Sequence, residues 1–427
     1  MSQVAWFLTS VYLCLGFLTP IGFGSSSILA FSSILIVAAL AFIVGGRAID
    51  LTLGQIGMIL LVPVMAVLIR LYSPYGATNA TKLALVLCAV AVLLTVCDPD
   101  DSSVGAAVFY AVSSVVLAAT FLVYVANPDF FADFSGVQRT ADDLSPLLYG
   151  AADKNRTALF VFLYFCFSLK KKKLLGIGLS LLYPAVYAGR QYLMMMAVVV
   201  VLLVLAKILG VPADKRSIRI SPIWFFSFFA VVMVLMVAFS RYWIREVIPT
   251  GLVEYKTGLN DHSNALRTVS IDFIATHVAD NPHFLFYGYD ARIFEVLGIN
   301  IGDTRAGSTF YVDGIYRLVQ PHQEVLNMLV KEGAAFTIVY FIALAVLLSR
   351  FARSFEDLAM VGGYMLGSVF LHEMFITQSL LMLAFVLAQP SEASFPPIWS
   401  GQRNEKGSTG RSARRGVPAA YSLMGAA

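Results

Sequence analysis

His322 heads the run Pro321-His322-Gln323-Glu324-Val325-Leu326-Asn327-Met328-Leu329-Val330-Lys331-Glu332-Gly333. Val325, Met328 and Leu329 recur at helical spacing with the polar residues on the other face, which predicts an amphipathic helix lying at a membrane interface. Pro321 suits the first turn of that helix. His322 therefore stands near a helix N-terminus, where the positive end of the dipole disfavours imidazolium. A neutral imidazole near physiological pH is what a general base requires. Polar capping of the helix start is the plainer role for a histidine in that position.

Arginines could supply the complementary chemistry. Arg190 sits in YAGRQYLMMM between two apolar runs, and Arg70 ends another run in VLIRLYSPYG. A charge this close to hydrocarbon is costly unless it is paired or reaches the interface, and a snorkelling side chain marking the membrane edge satisfies that condition. The other reading is a cationic pocket for an anion at the outer leaflet. Guanidinium suits phosphate because its planar fork donates two parallel hydrogen bonds and stays charged at any working pH. The segment from Arg241 to His322 carries six arginines, one lysine and four of the five histidines. It also holds nine acids, so ion pairs within the segment compete with the ligand reading. His277, Asp280 and His283 lie close together in THVADNPHF, where Asn281-Pro282 reads more simply as a turn than as part of a metal site.

The elements that must position these residues are membrane spans. The chain has 427 residues, 59% hydrophobic and 13% charged, with a mean hydropathy of +0.78. So little charge could not cover the surface of a soluble protein of this size. Apolar runs fall at roughly 4–23, 28–46, 55–72, 82–97, 104–126, 151–169, 174–188, 191–209, 223–240, 334–349, 357–375 and 376–389. Runs of this length suit helices crossing a bilayer, and backbone in lipid must pair internally. They lack the alternation of outer-membrane barrel strands. The expected class is an all-α polytopic membrane protein of about twelve transmembrane helices, with one large extracytoplasmic loop (241–333) inserted before the tenth span. One domain covers 1–389, and a basic tail rich in Gly, Ser, Pro and Arg, 390–427, reads as disordered.

Lysine and arginine in the short loops set the orientation. Lys170–Lys173, the group Lys207, Lys215, Arg216 and Arg219, the pair Arg350 and Arg353, and the tail all fall on one side, which makes both termini cytoplasmic. Asp98, Asp100 and Asp101 land there too. Arg70, the Gly189-Arg190 turn, the acidic loop 127–156 and the 241–333 insert then face outward. Cys14, Cys88, Cys97 and Cys166 all fall in apolar runs with no close pair, which indicates neither a disulfide framework nor a zinc site and reads as buried small hydrophobes. No Walker-type loop or dinucleotide fingerprint is present, which argues against ATP-driven transport. The N-terminus MSQVAWF lacks a basic n-region, so the first span reads as a retained anchor.

Three motifs resemble those of the bacterial O-antigen ligase and O-antigen polymerase superfamily. They are the small-residue turn Gly189-Arg190-Gln191 opening a span, Arg267 followed by Asn281-Pro282-His283 and Tyr287-Gly288-Tyr289, and His322-Gln323 ten residues ahead of Gly333 and a span. The resemblance implies a GT-C-like fold in the bacterial cell inner membrane, with the active site facing the periplasm. It implies inverting, metal-independent transfer of a glycan from an undecaprenyl-diphosphate-linked donor to a glycan acceptor, with no cofactor. Carried onto this chain, His322 is the base, Arg190 and Arg267 bind the diphosphate, and Arg70 is a third ligand. The first outer turn, Gly24–Ser27, has no acid to hold a metal. Repeat-unit polymerase is favoured over ligase to lipid A–core. A chain-length regulator joins donor, acceptor and lipid bilayer among the expected partners, and nucleic acid does not. A secondary transporter or flippase is the alternative from another class.

Overall fold

The computed structural model describes residues 2–18, 31–36, 51–72, 77–127, 154–185, 190–210, 221–242, 304–305, 309–312, 315–318, 324–370, 374–375 and 378–392. Its helices are α1 Ser2–Leu18, α2 Leu53–Tyr72, α3 Ala77–Thr95, α4 Ser103–Ala126, α5 Lys154–Lys170 and α6 Leu174–Leu182. They continue as α7 Arg190–Ile208, α8 Pro222–Tyr242, α9 Glu324–Glu332, α10 Ala334–Phe351, α11 Phe355–Phe370 and α12 Gln378–Ala388. Each apolar run expected to be a span contains a described helical stretch, the second only over 31–36. Among the described residues, the helical segments Pro99–Ala126, Pro222–Phe239 and Ala334–Phe351 are long and apolar enough to cross a membrane.

The insert contributes something the all-helical expectation did not include. β1 (Thr304–Arg305), β2 (Thr309–Val312) and β3 (Ile315–Leu318) form a three-stranded antiparallel sheet in the order β1-β2-β3. Val312 pairs with Ile315, so Asp313-Gly314 is the whole connection between β2 and β3. An Asp-Gly pair between β-branched and aromatic runs is a strong short-range hairpin signal.

The core is built round helices that are apolar on every side, as expected of elements buried all round. In α5 every residue from Ala158 to Phe167 is buried, and so is every residue of α12. Phe109, Phe160, Tyr164, Phe167 and Phe385 join α4, α5 and α12 through ring contacts. Two close crossings depend on glycine. Gly105 lets α4 approach α1, where a Cβ would stand 2.7 Å from the Trp6 carbonyl oxygen. Gly363 lets α11 approach α7, where a Cβ would stand 2.9 Å from the Met195 carbonyl oxygen. Small residues at helix crossings are the usual means of close approach when lipid supplies no hydrophobic drive.

Among the described residues, several helix faces expose large apolar side chains. Leu60, Val64, Val67 and Leu71 of α2, and Trp224, Val231, Val234 and Phe239 of α8, are exposed. Charged and amide side chains such as Lys170, Asp357, Glu324 and Asn327 are buried instead. That arrangement would be an aggregation hazard in water and is compatible with a membrane protein.

Candidate functional site

Long-range contacts define the two ends of the bundle. At one end Ser2 Oγ accepts from the Asp98 backbone N–H at 2.8 Å, and the Trp6 indole donates to the Asp98 carbonyl at 2.7 Å. Ser102 Oγ donates to Gln389 Oε1 at 3.0 Å. Lys170 Nζ donates to the Leu387 carbonyl at 2.8 Å and pairs with Asp357 at 2.5 Å. The start of α1, the end of α5, the start of α11 and the end of α12 therefore meet there.

Arg70 lies in the last turn of α2, which a four-residue connection joins to the start of α3. Since α3 ends beside Asp98 at the first end, Arg70 belongs to the opposite one. Arg190 opens α7. Gly363 of α11 faces Met195, whereas Gly362, one residue nearer the start of α11, faces Leu202 further along α7. These contacts make α7 antiparallel to α11 and put Arg190 at the same end as Arg70. The backbone thus brings these two predicted anion ligands to one end of the bundle. Arg267 and His322 lie outside the described residues, as do His277, Asp280 and His283.

The helix that follows His322 departs from expectation. α9 is amphipathic, but it does not lie on the surface. Glu324, Leu326, Asn327, Met328 and Glu332 are all buried, with Glu324 at 0% and Asn327 at 1% exposure. Its polar stripe packs into the protein because α10 and α11 cover it. Gly333 makes this possible. It joins α9 to α10 with φ 85° and ψ 163°, a backbone conformation essentially confined to glycine. Thr337 locks the corner from the α10 side, its Oγ1 donating to the Gly333 carbonyl at 2.7 Å and its N–H to the same oxygen at 3.1 Å.

Folding back in this way carries Glu324, the first residue of α9, beside α10 and α11. Its carboxyl lies within electrostatic reach of both the Tyr340 and Tyr364 hydroxyls. Tyr340 stacks on Phe336, and Phe375 meets both tyrosine rings edge-on at 6.0 Å. Tyr364 Oη donates to the Met374 carbonyl at 2.7 Å. The Tyr340 hydroxyl and the Asn327 side-chain nitrogen are buried without a hydrogen-bond partner among the described residues. A carboxyl, an amide and two phenols inside an apolar bundle can recognise a polar ligand group. The sequence offered one signal for them, the polar spacing Glu324, Asn327 and Lys331 on a single helical face.

The lysine run at the first end is held by acidic partners. Lys170 is fully buried against Asp357, Lys172 pairs with Glu356, and Lys173 stands 3.9 Å from Glu392. The run is an ionic clasp between α5 and α11. Asp357 also closes a cap on α11: its backbone N–H donates to Ser354 Oγ at 3.0 Å, and its carboxylate accepts from the Ser354 N–H at 3.2 Å. Lys172 adopts φ 49° where α5 ends, and the Lys173 N–H returns to the Ser168 carbonyl at 2.8 Å. A non-glycine residue accepts this left-handed cap at a cost of about 1–2 kcal/mol. Cys14, Cys97 and Cys166 are buried and Cys88 partly so, as their apolar contexts suggest.

Comparison with protein-family models, curated proteins and solved structures finds no match for this chain.

Proposed function

We propose that this chain is an inverting membrane glycosyltransferase that moves a glycan from an undecaprenyl-diphosphate carrier to a sugar hydroxyl, as a repeat-unit polymerase for surface polysaccharide. The observation that carries the reading is the pattern His322-Gln323…Gly333. Its helix is built into an apolar bundle, and Arg70 and Arg190 stand at one end of that bundle. In the proposed reaction His322 takes the proton from the acceptor hydroxyl. The resulting oxygen attacks the anomeric carbon of the donor, and the bond from that carbon to the carrier's phosphate oxygen breaks. Arg190 and Arg267, with Arg70 as a third, stabilise the charge gathering on the departing diphosphate. Fixed guanidinium groups supply this stabilisation without a metal ion. The site faces the periplasm of a bacterial inner membrane, and the fold is GT-C-like with about twelve crossings.

Glycan transfer from a purified polyprenyl-diphosphate donor tests the proposal, with and without chelator. The wild type transfers glycan in both conditions, while His322→Ala, Arg190→Ala and Arg267→Ala fold and lose most activity. Full activity in the histidine variant removes the mechanism. A transporter or flippase is the second reading, favoured by the buried carboxylates of Glu324 and Glu332 within the helical bundle. Substrate transport by reconstituted protein, undiminished in His322→Ala, selects it.

A further inference from the structure

The polar cluster between α9, α10 and α11 takes no part in the proposed transfer step. Glu324 is fully buried, and its carboxyl is an electrostatic neighbour of the Tyr340 and Tyr364 hydroxyls. Asn327 follows one helical turn later on the same face, 1% exposed. Two of the cluster's donors are unmet among the described residues, the Asn327 side-chain nitrogen and the Tyr340 hydroxyl. A buried donor without an acceptor is costly, so native proteins retain few such groups, and those few need a reason.

The chemistry of these groups selects the ligand. A carboxylate repels a diphosphate, which sends the donor's charged part to the arginines. A bare cation satisfies a carboxylate but offers nothing to an N–H or O–H donor. A sugar hydroxyl does both, donating to a carboxylate while accepting from an amide or a phenol. Phe336, Tyr340, Tyr364 and Phe375 supply aromatic surfaces of the kind that pack against a pyranose. Glu324 also follows His322, the proposed base, by two residues in the chain.

We propose that Glu324, Asn327 and Tyr340 form a binding site for hydroxyl groups of the acceptor glycan, next in sequence to the base that deprotonates it. The proposal rests on the glycosyltransferase reading and names its acceptor subsite.

Saturation-transfer NMR on the full chain in lipid nanodiscs tests it, with the methyl glycosides of glucose and N-acetylglucosamine as probes. Binding of undecaprenyl diphosphate is measured in parallel. The wild type transfers saturation to at least one glycoside. Tyr340→Phe removes only an oxygen that lacks a partner among the described residues, so it keeps or raises the melting temperature. Its glycoside affinity falls about tenfold, the worth of one hydrogen bond to a polar ligand. Asn327→Leu weakens the glycoside similarly, and both variants bind undecaprenyl diphosphate as the wild type does. Folded Tyr340→Phe and Asn327→Leu proteins with unchanged glycoside binding overturn the proposal. So does a wild type that binds the diphosphate lipid and neither glycoside. Stabilisation by sodium or potassium that Glu324→Gln abolishes, without glycoside binding, assigns the cluster to a cation and also overturns it. A wild type that fails to bind the diphosphate lipid counts against the glycosyltransferase reading, a separate result.

Discussion

Lys170 and Asp357 meet at 2.5 Å with neither side chain reaching solvent, and the pair ties the last residue of α5 to the first turn of α11. Both charges are further held, Lys170 by the Leu387 carbonyl and Asp357 by the Ser354 N–H. Removing one partner strands the other in an apolar interior. Asp357→Leu or Lys170→Met alone is expected to destabilise by about 3–5 kcal/mol, whereas the double variant recovers most of the loss. Unfolding measured across the full double-mutant cycle reads the coupling. Additive single effects would show that the clasp does not act as a pair.

The α7–α11 crossing separates two adjacent glycines. A Cβ on Gly363 would fall 2.9 Å from both the Met195 carbonyl oxygen and Phe162 Cζ, and one on Gly362 meets only Leu202 Cδ1 at 3.8 Å. Gly363→Ala is expected to cost about 1–3 kcal/mol through overpacking. Gly362→Ala gains up to about 1 kcal/mol from helix propensity. Melting temperatures in nanodiscs should move in opposite directions for the two variants.

Lys171 sits in the turn after α5. Burial pushes its ammonium pKa below the ordinary lysine value, Lys170 and Lys173 add to that effect, and Glu392 opposes it. A lysine depressed in the folded state sheds its proton before the unfolded chain does. Through the alkaline window between the depressed and the ordinary value the unfolded state holds more protons, so stability rises with pH there. Below that window the charged side chain burdens the fold. Lys171→Met should therefore raise stability at neutral pH and flatten the alkaline rise in a pH series of unfolding midpoints. An unchanged slope in the variant would assign the rise to other groups.

For the proposed transfer reaction, Arg190→Lys keeps the charge and loses the two-pronged geometry. A hydrogen bond to a charged group is worth about 1.5–3 kcal/mol, so turnover should fall about ten- to hundredfold. Steady-state transfer rates compare the variant with Arg190→Ala. Equal activity of Arg190→Lys and wild type would reduce Arg190 to a point charge at the membrane edge.

The helices were legible because apolar runs of span length carry their own signal. α3, α4, α8 and α10 begin and end within five residues of the runs at 82–97, 104–126, 223–240 and 334–349. Pairing across the chain was not legible. Nothing local connects Lys170 to Asp357, 187 positions later, or Ser102 to Gln389, 287 positions later. The amphipathic pattern of α9 predicts a helix at a membrane interface; the helix forms, and Glu324, Asn327 and Glu332 on it are buried within the protein. Periodicity gives the polar face but not what covers it, and here α10 and α11 do. The β2–β3 pairing has a local cue in the Asp313-Gly314 dipeptide of the sequence, set within a segment whose stronger pattern is its charge.

Gly333 has a mechanical consequence. Its backbone N–H returns to the Leu329 carbonyl at 3.1 Å, while its own carbonyl accepts both the N–H and the hydroxyl of Thr337. The corner is thereby braced from both arms and behaves as a bracket, not a swivel. α9 is a short lever bolted to α10, and its leading tip takes its stiffness from the helical bundle.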